Sequence, residues 1–101
     1  MFIFSIEPIL GASKSLNFKK QVKAKCTTFL KFMRDNNLLL IDPFDELGSV
    51  RHDLILNSED LTAEGLDFWK AAFFKWSSAR DKDGNYENIQ ILERELEKIK
   101  E

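Results

Sequence analysis

The side chains of this chain that could do chemistry are few in kind: one histidine, His52, one cysteine, Cys26, and 17 carboxylates. A nucleophilic pair would need Cys26 and His52 to meet, and nothing local in the sequence brings them together. A metal site would have carboxylates alone beside His52. The spacings Asp42–Asp45 and Asp60–Glu64 lack the glycine and the alternating oxygen ligands of a calcium loop. No glycine-rich phosphate loop is present either. The residues therefore predict a protein that is not an enzyme and holds no metal or cofactor. What remains is the distribution of charge.

The formal net charge of −2 conceals three unequal segments. Residues 1–41 carry Lys14, Lys19, Lys20, Lys23, Lys25, Lys31 and Arg34 against Glu7 and Asp35, a balance of +5. Residues 42–67 carry Asp42, Asp45, Glu46, Asp53, Glu59, Asp60, Glu64 and Asp67 against Arg51 alone, a balance of −7. Residues 68–101 are neutral. Bias of this kind bears on partners and association rates rather than on fold. Two binding surfaces follow. Asp42, Asp45, Glu46, Asp53, Glu59, Asp60 and Glu64 form a candidate surface for a basic partner. Lys20, Lys23, Lys31 and Arg34, on one face of a helix, could instead follow a nucleic-acid backbone. A pI of about 5.5 and the absence of a stacking platform disfavour nucleic acid. An exposed part of Phe68 and Phe74 would be a third kind of surface, for self-association.

These charges need elements to hold them. A chain of 101 residues, 44% hydrophobic with nine phenylalanines, is long enough for one domain around one core. Cys26, the lone cysteine, excludes an internal disulfide and fits a reducing cytoplasm. MFIFSIEPIL has no basic leader and is interrupted by Glu7 and Pro8, so it is expected to belong to the folded protein. No run approaches the roughly 18 apolar residues of a membrane span.

Periodicity places three helices. From about Ser15 to Asn36, the residues Val22, Cys26, Phe29, Leu30 and Met33 share one face. Ser13, Ser15 or Asn17 is expected to cap its start, and Asp35-Asn36-Asn37 its end. A second helix begins at Thr62, a good N-cap, with Glu64 and Asp67 where the exposed amides favour negative charge. Leu66, Trp69, Phe73 and Trp76 form its expected stripe, widened by Ala72, with Phe68 and Phe74 off it. Asp83-Gly84-Asn85 supplies a turn. Ile89, Leu92, Leu96 and Ile99 mark the last helix, capped by Asn85 or Asn88. A short first element is expected in SIEPIL, begun at Pro8 and stopped at Gly11. Between the helices, Leu38 to Asn57 is expected to be an ordered, mostly irregular arm over the core. A short β-hairpin of 38–42 with 50–56 is the alternative, placing Val50, His52, Leu54 and Leu56 on one face. The fold class is thus all-α, a single domain of three to four helices with an irregular acidic arm.

Residues Asp60–Ile99, DLTAEGLDFWKAAFFKWSSARDKDGNYENIQILERELEKI, are similar to the C-terminal half of a group of small bacterial helical proteins. That group reads Asp-Leu-Thr-x-x-Gly-Leu, then Lys-Trp, then Arg-Asp, a short turn and a leucine-rich closing helix. The resemblance is to immunity proteins of contact-dependent growth-inhibition toxins. It implies a non-catalytic cytoplasmic protein whose partner is a cognate toxin domain, commonly a basic nuclease. The acidic residues would then stand in for phosphate in the toxin's cleft. Most of the matching positions are cap, core and turn positions.

Overall fold

The computed structural model describes residues 2–5, 16–51 and 53–100, with side chains described from Lys20 onward. Three helices carry it: α1 (Leu16–Asp35), α2 (Ala63–Asp83) and α3 (Gln90–Lys100). Strand β1 (Phe2–Ser5) pairs antiparallel with β2 (Ile55–Asn57), Phe4 opposite Leu56 and Ser5 opposite Ile55. The protein is a small, mostly helical domain of the all-α class with an irregular acidic arm between α1 and α2, as the sequence predicts, and the short β1–β2 pairing is added to it. The alternative hairpin of 38–42 with 50–56 does not form. Leu39 bridges Leu61 instead, and β2 takes β1 as its partner. A bridge between Phe44 and Val50 closes a small loop, with Gly48 at φ 81. The short element expected in SIEPIL lies outside the described residues apart from Ser5, as do Ser13, Ser15 and His52.

Helix ends follow local chemistry. Asn37 takes φ 58 after α1, while Leu38 N–H donates to Met33 O at 2.9 Å and Asn37 N–H to Arg34 O at 3.1 Å. That pair of bonds is a Schellman ending, in which asparagine tolerates the left-handed conformation and the next residue folds back on the helix. Leu38 is buried in the same cluster as Met33. Thr62 caps α2 by accepting from Gly65 N–H at 2.9 Å. Gly84, at φ 70, ends it. Asn88 Oδ1 accepts from Gln90 N–H at 3.1 Å at the start of α3.

The core has two parts that share Trp69 and Leu39. One joins the three helices. Phe29 is its hub, with ring centroids of Phe68 at 5.6 Å, Trp69 at 5.0 Å, Phe73 at 4.9 Å and Trp76 at 5.8 Å. The other lies between Val22, Cys26 and Leu30 of α1 and Phe44, Leu54 and Leu56 of the arm. The face of α2 differs from the expected stripe. Gly65, Phe68, Ala72, Trp76 and Arg80 are its buried line, while Leu66, Trp69 and Phe73 are half-buried. Phe68 is fully enclosed and stacks on Phe32 at 5.4 Å, whereas Phe74 is 80% exposed. The face holds at Ala72 and Trp76 and is turned otherwise toward Gly65, the residue that lies against the Leu38 backbone.

Glu95 of α3 is buried although the residues around it are charged. Its Oε1 accepts from Lys75 Nζ of α2, and Lys98 Nζ lies 3.4 Å away. The Lys75 hydrogen bond holds its carboxyl below the ordinary value of 4.5, against the cost of burial, and the charges of both lysines act in the same direction. A depressed folded-state value contributes stability above the ordinary value and loses it as pH falls through the folded one. Glu95→Gln is therefore expected to cost about 1 kcal/mol at neutral pH, a modest amount because both lysines are more than half exposed. Urea titrations carried into acid should show wild type and variant converging. A gap that stays constant would mean that the charge contributes nothing.

Candidate functional site: an acidic arm laced to α2

The arm leaves α1 at Leu38 and returns at Leu61, and its two ends are stitched together over the start of α2. Leu40 N–H donates to Asp60 O at 2.8 Å and Thr62 N–H to Leu38 O at 3.1 Å. The Thr62 hydroxyl also lies 3.4 Å from Leu38 O. Gly65 makes this proximity possible, since a Cβ there would lie 2.1 Å from the Leu38 carbonyl oxygen. The Asp-Leu-Thr-x-x-Gly-Leu pattern is thus a physical seam. Asp60 Oδ2 accepts from Asn57 N–H at 2.9 Å, Leu61 is core, Thr62 caps and clasps, and Gly65 leaves room.

Beyond the seam, the arm is fixed by burial of Pro43, Phe44, Leu54 and Leu56. The Arg34 guanidinium lies 4.7 Å from the Phe44 ring centroid, a cation–π arrangement that ties arm to helix. Cys26 sits beneath the arm, and burial pushes its thiol up to about 11 against the opposing charge of Lys25. A thiol so protonated is a poor nucleophile.

The seven candidate residues fall into two groups. Asp45 and Glu46 lie on the loop that Phe44 and Val50 close, and Asp42 and Asp53 flank it; Glu59, Asp60 and Glu64 lie at the seam. All are exposed except Asp60, which is half-buried. Several also hold the backbone. Asp42 Oδ1 accepts from Phe44 N–H at 3.0 Å, and Asp45 Oδ1 accepts from Leu47 N–H at 2.9 Å and Ser49 N–H at 3.1 Å. Asp53 pairs with Arg51 at 3.4 Å, and the Ser58 hydroxyl lies 3.4 Å from Glu59. Glu46 and Glu64 have no ion-pair partner among the described residues. Each aspartate on or flanking the loop satisfies backbone or Arg51 through Oδ1 while keeping its charge at the surface.

The basic face of α1 is partly occupied. Arg34 serves Phe44 and pairs with Asp35 at 3.4 Å; on another side of the helix, Lys25 binds Asp81 at 2.9 Å beside Tyr86. Lys20, Lys23 and Lys31 are exposed. Among the described residues, no three His, Cys, Asp or Glu side chains are grouped so as to hold a metal ion, and no helix is long and apolar enough to cross a membrane. Sequence reasoning missed the role of Gly65. A signal existed, because glycine in the first turn of a strong helix costs about 1 kcal/mol relative to alanine and calls for a packing reason.

No family model, curated protein or solved structure matches this chain.

Proposed function

We propose that this chain is a cytoplasmic immunity protein that neutralises a cognate protein toxin by binding it, without catalysis, through the acidic arm. The observation that carries this reading is the seam: a −7 segment with seven exposed carboxylates is laced at both ends to a helical scaffold. A surface ordered before binding loses less entropy on association than a flexible tail. Its charge accelerates encounter with a basic partner, and its carboxylates can occupy positions where a nuclease cleft holds phosphate. Of the four basic-face residues, Arg34 is engaged within the fold against Phe44 and Asp35, which favours the arm over the basic helix as the binding surface.

The test is to mix the purified chain with the product of the adjacent reading frame. A stable complex and loss of that protein's toxicity are the expected results. Full toxicity and no complex at excess of this chain would overturn the reading. Retention on duplex DNA with a steep fall in salt would favour nucleic acid instead.

A further inference from the structure

α1 and α3 each pack on α2, and between the C-terminal half of α1 and α3 they leave a groove of about 600 Å³. We infer that this groove docks an amphipathic helical segment of a partner protein that carries lysine or arginine along the edge facing α3. The groove flanks Phe32, the arm covers Val22, Cys26 and Leu30 of the same helix, and the inference does not depend on what the arm binds.

The groove is apolar within and polarised at its edges. Phe32, Ile89 and Leu96 supply its apolar lining. Its walls run from Thr28 on α1 to Asn36 just past its end and from Ile89, just before α3, to Glu97, in each case about 12 Å, or two helical turns. That is the length over which an incoming helix can place apolar residues at i, i+3 and i+4. The α3 edge carries Glu93 and Glu97, one turn apart, exposed, and without an ion-pair partner among the described residues. Carboxylates at that separation match cations at i and i+4 on an incoming helix. The α1 edge carries no net negative charge, because Asp35 already pairs with Arg34 at 3.4 Å and Lys31 is left as an exposed cation. Charge complementarity therefore selects a basic segment and fixes which side of it faces α3.

The probe is a synthetic amphipathic helical peptide of leucine and lysine, with its lysines at i and i+4, compared with the same peptide bearing glutamate for lysine. Each is titrated into the isotope-labelled full chain and followed by NMR. The lysine peptide should move the resonances of Phe32, Ile89 and Leu96 while Leu54 and Leu56 stay in place, and the glutamate peptide should bind more weakly. The double variant Glu93→Gln, Glu97→Gln should weaken the lysine peptide roughly fivefold to tenfold, as two exposed ion pairs imply. Equal binding of the two peptides, shifts confined to the arm, or no shift at millimolar peptide would overturn the inference. The two-peptide comparison uses wild-type protein and stands whatever the variant does to folding.

Discussion

Gly65→Ala is expected to destabilise the protein by about 3 kcal/mol or more, although alanine is the better helix former by about 1 kcal/mol. The added Cβ would sit 2.1 Å from Leu38 O, and 3.1 Å from both Leu38 C and Thr62 Oγ1. The nearest atom is backbone, so no side-chain rotation relieves the clash. Either the start of α2 or the Leu38 end of the arm must move, and the bonds Thr62 N–H to Leu38 O and Leu40 N–H to Asp60 O are strained with it. For a domain of this size, the loss corresponds to a fall of roughly 12–20 °C in melting temperature. Gly48→Ala is the control, since no atom lies within 4 Å of its added Cβ and only its φ of 81 resists the change. It should cost about 1–2 kcal/mol. A Gly65→Ala protein that melts at or above the wild-type temperature would show that Leu38 does not lie against α2.

Trp76→Ala is the second large effect, at about 3–5 kcal/mol. Trp76 is fully enclosed, leans on Phe29, and donates its indole N–H to Asn88 O at 2.7 Å, tying α2 to the turn before α3. Alanine leaves both a cavity and a carbonyl without its donor. Trp76→Phe separates the two, restoring most of the volume while leaving Asn88 O unpaired, and should recover more than half of the loss. Trp69, half-buried at the junction of the two core parts, remains as a fluorescent reporter in every variant. A cost below about 1 kcal/mol for the alanine variant would remove Trp76 from the centre of the core.

The parts of this fold that are legible in sequence are those decided locally. Thr62, Gly84 and the Asn36-Asn37 ending act within a few residues of themselves, and the last helix shows its stripe plainly. The strand pairing was not legible, because β2 could pair with residues 38–42 or with a distant segment, and the choice belongs to the whole molecule. The offset of the α2 face had the same origin: Gly65 contributes no hydrophobicity to a periodic pattern, yet marks where Leu38 comes closest. The candidate site was legible as charge and not as geometry. Composition located the seven acids, but which of them also hold turns depends on the loop that Phe44 and Val50 close. The groove could not be foreseen, since it arises from how α1 and α3 splay on α2.

That division of labour decides how the central claim is tested. Asp42 and Asp45 each accept backbone N–H groups, so reversing them would disturb the loop as well as its charge. Glu46 has no ion-pair partner among the described residues, and Asp53 shares only an exposed contact with Arg51. The most direct measurement is the association rate of the adjacent gene's product with wild type, with Glu46→Lys/Asp53→Lys, and with Lys20→Glu/Lys23→Glu, each at low and high salt. The arm variant should associate roughly tenfold or more slowly at low salt, with the difference shrinking as salt rises, while the α1 variant keeps or exceeds the wild-type rate. Wild-type association by the arm variant, or slowing confined to the α1 variant, would contradict the assignment of the acidic arm as the binding surface.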